Sequence, residues 1–275
     1  MATSTPQAPT PPRTSRGPVS GAARLVDYWA TVYKRTWKGG VITSFVTPFF
    51  YILAMGVLLG GYVTADADQL DGAPSYLAFI APGMVAVQAM TIAFSETTYP
   101  VMGMVKWQRI YHSMIATPLS VAEIVLAQLT FVCARVLLSC GVFLAVLAPF
   151  GVFGSAWGTV LALPAQLLIG LAFAAPVFAF SAGLEDESAF ALVFRLGMIP
   201  LTLFSGTFFP IDNLGPVLEA VARVTPLWQG VDLTRMLVLG DVDWGWAVVH
   251  VVYLGALAAV GWWMTVRRLT DRLVT

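Results

Sequence analysis

The stretch VLLSCGVFLAVLAPFGVFGSAWGTVLALPAQLLIGLAFAAPVFAFSAGL, Val136 to Leu184, contains no aspartate, glutamate, lysine or arginine. A helix at the surface of a soluble protein carries polar residues along one face, and no such face interrupts this run. It is long enough for two crossings of a hydrocarbon core at about 20 residues each. Pro149 and the following FGVFGSAWG supply the turn between them. Uncharged runs from Gly39 to Ala65, Gly72 to Ser95 and Trp244 to Val266 each cover one further crossing. Charged residues are 11% of the chain, against about 25% in soluble domains, and the mean hydropathy is +0.79. Net charge is zero, so no basic field points to nucleic acid.

These patterns predict an all-α, polytopic membrane protein with six transmembrane helices, at about Val41–Tyr62, Tyr76–Val101, Val121–Ala148, Trp157–Ala182, Phe190–Phe209 and Trp246–Val266. Pro48, Pro82, Pro164 and Pro176 are tolerable inside spans whose neighbours satisfy the freed backbone groups. Arg195 and Pro200 interrupt the fifth span. Lysine and arginine set the orientation. Six cations precede the first span, Lys106 and Arg109 follow the second, and Arg267, Arg268 and Arg272 follow the sixth. The other side receives Arg223 and Arg235 beside Asp66, Asp68, Asp71, Asp212 and Asp241. The positive-inside rule therefore places both termini in the cytoplasm of a multi-pass cell-membrane protein. Glu185, Asp186 and Glu187 run against that bias, but acids weigh little in it. Residues 1–22, rich in Pro, Ser and Thr, read as a disordered cytoplasmic tail without the apolar core of a secretory signal. Cys133 and Cys140 lie roughly 10 Å apart along one helix, too far for a disulfide.

The loop after the second span, KWQRIYHSMIATPLSVAE (Lys106 to Glu123), predicts a short helix over about 103–117. Met104, Trp107, Tyr111, Met114 and Ile115 share one stripe; Lys106, Arg109 and Ser113 share another. Thr117-Pro118 ends it, and Ser120-x-x-Glu123 reads as a capping box for the next helix. Amphipathicity leaves two readings open: a helix lying on lipid headgroups, or a docking element for a cytoplasmic partner. On the outer side, SGTFFPIDNLGPVLEAVARVTPLWQGVDLTRMLVLGD (Ser205 to Asp241) predicts two helices over about 211–240, each too short to cross. Pro216 opens the first, Thr225-Pro226 divides them, and Gly240 caps the second. The segment ARLVDYWATVYKRTWK (Ala23 to Lys38) predicts an amphipathic interface helix over 23–39, with Tyr28, Trp29, Tyr33, Arg35 and Trp37 as its aromatic and basic contacts. Residues 40–275 then form the transmembrane domain.

No phosphate-binding G-x-x-x-x-G-K-[ST], HExxH, paired CxxC or G-x-S-x-G occurs, so no catalytic residue, metal site or cofactor is assigned. His112 and His250 are isolated. Glu96, Arg135 and Arg195 are the intramembrane charges. Such groups default to a functional hypothesis, against the plainer one that they pair with each other or reach the interface. Glu96 and Arg135 sit on consecutive antiparallel helices and are within reach of each other.

Four stretches carry a resemblance: APGMVAVQAM with FSETTYP (Ala81 to Pro100), WQRIYHSMIATPLSVAEIVLAQ (Trp107 to Gln128), SGTFFPIDNLGP (Ser205 to Pro216) and TPLWQGVDLTR (Thr225 to Arg235). In order and topology, from about Arg24 onward, the chain resembles permease subunits of ABC type 2 exporters, and most nearly the nodulation-protein J and daunorubicin-resistance permease groups. The resemblance implies that Lys106, Trp107, Arg109, Tyr111, His112 and Met114 belong to a coupling helix docking on an ATPase. It implies a re-entrant exit region containing Phe208, Phe209, Pro210, Pro216 and Pro226, and an interface helix that also touches the ATPase. It further implies two ATPase copies carrying ATP and magnesium, a second and identical permease, contact with membrane lipid, and an amphipathic substrate (lipid, lipid-linked saccharide or hydrophobic drug). The alternatives are an ion-coupled transporter, which calls for more intramembrane acids and an internal repeat, and a membrane-embedded transferase, which calls for convergent ionisable groups.

Overall fold

A computed structural model describes residues 18–59 and 70–274 of the chain. Within these the protein is helical, with no strand among the described residues. Among the described residues, four helical segments are long and apolar enough to cross a membrane: Tyr76–Trp107, Val121–Phe150, Ala156–Gly183 and Trp244–Val274. The expected first span runs past residue 59, and Tyr62 lies outside the described residues, as does most of the expected tail.

Local chemistry fixes the helix ends. Helix α2 (Tyr76–Thr97) starts where the Ser75 hydroxyl accepts from the Ala78 amide. Helix α5 (Val121–Leu147) opens on the expected capping box: Ser120 Oγ accepts from the Glu123 amide, and the Glu123 carboxylate accepts from the Ser120 amide at 2.7 Å. A 3₁₀ turn at Ala148–Phe150 and Gly151 (φ 66°) make the corner before α6 (Ala156–Gly183), which Ser155 caps. The last helix, α11 (Trp244–Val274), continues well beyond the expected Val266.

Three expectations change. The interface helix expected over 23–39 and the span expected from Val41 are joined in one helix: α1 runs continuously from Pro18 to Tyr51, followed by wider π-helical turns over Ile52–Leu59. Its first half lies along α5. Leu25 is buried, and the Trp29 and Tyr33 rings meet Phe131 at 5.8 and 6.1 Å. That packing gives the aromatic face a protein surface to cover. The second change is at α2, which stops at Thr97. Thr98 is non-helical, α3 covers Tyr99–Met102, and π-helical turns follow over Gly103–Trp107. Pro100 has no N–H to give the Glu96 carbonyl four residues back; Gln128 Nε2 approaches that carbonyl at 3.4 Å instead.

The third change is the expected Phe190–Phe209 span. It is a shorter rod made of α7 (Ser188–Leu192), π-helical turns over Val193–Met198, and α8 (Ile199–Phe204). At about 1.5 Å per residue it reaches about 25 Å, short of a ~30 Å core. Pro200 removes one backbone donor, and Gly206, at φ 73°, turns the chain away. Phe208 and Phe209 therefore lie past the helix, in non-helical backbone.

Helix α2, apolar on every side, is buried nearly all round by other helices. It packs between α5, α6 and α10 (Pro226–Leu239), while α11 lies along α6. Close approach there depends on Gly261: a Cβ at that position would sit 2.5 Å from Pro176 Cδ. Both cysteines are free.

Candidate functional site

One end of the bundle, its basic end, gathers Lys106, Arg109, Arg267, Arg268 and Arg272 with the turn at residues 184–187. The expected coupling helix is not one rod. After Trp107 the chain breaks at Gln108–Arg109, where Arg109 takes a left-handed conformation (φ 51°), and α4 restarts over Ile110–Ile115. This break splits the expected stripe. Tyr111 is 1% exposed with its ring 6.4 Å from Phe178, and Met104 is buried. Trp107 is 55% exposed, and Lys106, Arg109 and His112 point outward, with Met114 half-buried. Tyr111 is therefore a core anchor, a correction to its expected place on the docking face, and Trp107 with Arg109 forms the outer surface.

Lys106 Nζ donates to the Glu185 carbonyl at 2.7 Å and lies 3.6 Å from the Glu187 carboxylate. The acidic turn that ran against the charge bias thus receives a cation from the α3–α4 segment. Hydrogen bonds from the Ser188 amide and hydroxyl hold the Asp186 carboxyl below its ordinary range. Arg272 donates to the Ala182 and Leu184 carbonyls, both at 2.6 Å, so α11 closes the C-terminal end of α6.

The intramembrane charges divide. Arg135 Nε donates to Glu96 at 3.1 Å, and the Arg135 guanidinium lies over the Tyr33 ring at 5.0 Å. That arrangement joins α1, α2 and α5. Arg195 is exposed on the α7–α8 rod and forms no ion pair among the described residues. Of the interface-helix residues, Tyr28 and Arg35 are exposed, Trp29 and Tyr33 are half-buried, and the Trp37 side chain lies outside the description.

At the opposite end, α9 (Pro216–Val224) and α10 form a helical pair, each with proline in its first turn. Gly215 (φ 78°) precedes α9 and Gly240 (φ 84°) ends α10. Phe208 and Phe209 are half-buried, and the Phe208 carbonyl accepts from Tyr76. Pro210 precedes a 3₁₀ turn at Ile211–Leu214. Helix α9 presents Val217, Leu218, Val221 and Val224 outward; α10 is held inside. Its Val238 carbonyl accepts from the Gly154 and Ser155 amides, and Gln166 bonds Thr234 at 2.9 Å.

Sequence reading missed the polar residues that pin α10. Arg235, 6% exposed, pairs with Asp71 at 3.1 Å, donates to the Gly206 carbonyl at 2.7 Å, and stacks 4.0 Å from the Phe79 ring centroid. Burial raises the Asp71 carboxyl above its ordinary range, and Arg235 pulls it partly back. His250 is fully buried; its Nδ1 meets Gln229 Oε1 and its Nε2 lies 3.0 Å from Asp232. Gln229 Nε2 donates to the Arg223 carbonyl, which orients the amide. The only signal was a lone cation in LTRMLVL and a lone imidazole in an uncharged span; neither names its partner.

The arrangement combines long apolar helices, an anchored surface element at the basic end and, at the other, a helix pair whose second member, α10, is buried. Nodulation protein J of Rhizobium leguminosarum bv. trifolii is 33% identical over 220 residues, covering 77% of this chain and 81% of that protein. Nodulation protein J of Rhizobium meliloti (strain 1021) is 30% identical over 258 residues, 90% of this chain and 94% of that one. The protein of the same name from Sinorhizobium fredii (strain NBRC 101917 / NGR234) is 30% identical with the same coverage. The model of a family described as ABC-2 type transporter matches residues 25–239, and the chain belongs to that family as a multi-pass membrane subunit of a transporter.

Proposed function

We propose that this chain is the permease subunit of an ATP-driven exporter, lying in the cell membrane with both termini cytoplasmic and six crossings per chain. The fifth crossing is made by the short α7–α8 rod, whose mismatch local thinning of the bilayer takes up. Two copies assemble with two ATPase chains, which bring ATP and magnesium. One subunit has few helices for enclosing a large path, and two-fold symmetry supplies the rest. The cargo is amphipathic: a lipid, lipid-linked saccharide or hydrophobic drug.

The observation that carries the reading is the α4 region. Tyr111 of α4 is locked in the core while His112 beside it, and Trp107 and Arg109 at the break just before α4, stand outside. An element fixed at one residue and exposed at its neighbours passes a push into α2 and α5 without folding aside. The exposed tryptophan and arginine are the residue types that dominate interface energies. The α9–α10 pair at the other end, tied by Arg235 to Asp71 and Gly206, forms the exit side.

Co-expression with candidate ATPases tests this. One of them co-purifies with the wild-type chain, and Trp107→Ala combined with Arg109→Glu lowers its retention at least about tenfold, a loss of about 1.4 kcal/mol or more. The variant must keep the wild-type melting temperature, since both side chains are exposed. Undiminished retention rejects the docking assignment.

A further inference from the structure

Two adjoining clefts at the basic end lie outside the α4 region. One, about 570 Å³, is lined by Phe180, Leu184, Glu185, Arg268, Asp271 and Arg272. The second, about 280 Å³, adds Trp263, Met264 and Arg267 and shares Arg268 and Asp271 with the first. The Arg267 guanidinium sits 5.6 Å from the centroid of the 59%-exposed Trp263 ring.

Their level in the membrane follows from α11 itself. Trp246 and Trp263 are both exposed on this helix, and the rise between them is about 26 Å. That is close to the ~30 Å hydrocarbon core, whose two faces collect tryptophan. Arg267 and Arg268 lie just over one turn beyond Trp263, roughly 6–8 Å further, within the headgroup layer. The clefts are therefore apolar toward the core, at Phe180, Trp263 and Met264, and cationic at headgroup depth.

Charge narrows the ligand. Three guanidiniums face two carboxylates, Glu185 and Asp271, leaving one net positive charge. Arg268 and Arg272 each use one terminal nitrogen on an α6 carbonyl, and the described partner of Arg267 is the Trp263 ring. We propose that the paired clefts bind the phosphodiester headgroup of an anionic phospholipid, with Arg267 and Arg268 on the phosphate and the acyl chains along Phe180, Trp263 and Met264. Arginine suits this because its planar fork matches phosphate oxygens. The site binds a lipid resident at the basic-end leaflet and does not depend on the transport reading.

Native mass spectrometry of the full chain, released from detergent with phosphatidylglycerol titrated in, tests it. Wild type retains the lipid, phosphatidylcholine binds more weakly, and inorganic phosphate does not displace either. Arg267→Gln, which disturbs no backbone bond, raises the phosphatidylglycerol Kd about tenfold with an unchanged lipid-free melting temperature. Trp263→Ala weakens retention through the acyl wall. Equal binding by wild type and Arg267→Gln overturns the proposal. So does displacement by inorganic phosphate, which would mark a free-anion site. A variant that keeps its lipid but loses a co-purifying ATPase would assign this surface to protein docking and also overturns it.

Discussion

Arg235→Ala is expected to cost about 3 kcal/mol, the low end of the ~3–5 kcal/mol for breaking a buried ion pair. The low end applies because the Asp71 side chain left behind is 43% exposed and regains water. The larger losses are elsewhere. The Gly206 carbonyl loses its 2.7 Å donor, the Phe79 carbonyl loses a weaker one at 3.5 Å, and the Phe79 ring face loses its cation. A buried carbonyl without a donor costs about 1–3 kcal/mol. Three segments come apart together: the turn before α2, the turn after α8, and α10. Asp71→Asn leaves both carbonyl bonds in place and is expected to cost about 1 kcal/mol. Melting temperature in detergent and the monodisperse fraction after size exclusion check the pair. Arg235→Ala collapses the fraction, and Asp71→Asn lowers it modestly. Equal behaviour of the two variants would place the stabilisation in the ion pair alone.

The second large effect is at Gly158. A Cβ there would lie 1.8 Å from the Leu237 carbonyl oxygen and 2.8 Å from its carbon. Those are backbone atoms, so no side-chain rotation relieves the overlap. Gly158→Val must push α10 off α6, breaking the Val238 carbonyl's bonds to the Gly154 and Ser155 amides and the Gln166–Thr234 bond. Ordinary overpacking costs about 1–3 kcal/mol; a backbone clash with these losses is expected to exceed about 3 kcal/mol. Gly255→Ala is the matched control, because its Cβ meets nothing within 4 Å. Alanine is preferred to glycine in a helix by about 1 kcal/mol. Gly255→Ala should therefore melt no lower than wild type, while Gly158→Val fails to yield a folded species. A stable Gly158→Val protein would contradict the close packing of α10 on α6.

The helices were legible where one physical signal acted alone. The uncharged runs Gly72–Ser95, Val136–Leu184 and Trp244–Val266, the Ser120–Glu123 capping box, the corner after Pro149 and the Gly240 stop each follow from local chemistry, and each stands where expected. The Glu96–Arg135 contact was within reach because both groups were isolated in apolar surroundings. What failed depended on tertiary partners. The face containing Trp29 and Tyr33 looked suited to lipid, but Phe131 covers part of it. Tyr111 fell on the stripe with Trp107 only for an unbroken helix; the left-handed Arg109 turns it inward. Arg235 and His250 were invisible as partners because Asp71, Gln229 and Asp232 lie on other elements, and no spacing rule links them.

As proposed above, these helices carry no fuel of their own and are driven through the Trp107–Arg109 surface by a separate ATPase. Export of a fluorescent amphiphile from proteoliposomes, with the permease reconstituted alone, with its ATPase, and with an ATPase unable to hydrolyse ATP, tests it most directly. Export is expected only with the hydrolysing partner, and is lost on Trp107→Ala with Arg109→Glu. Export by the permease alone at the rate of the full complex would contradict it.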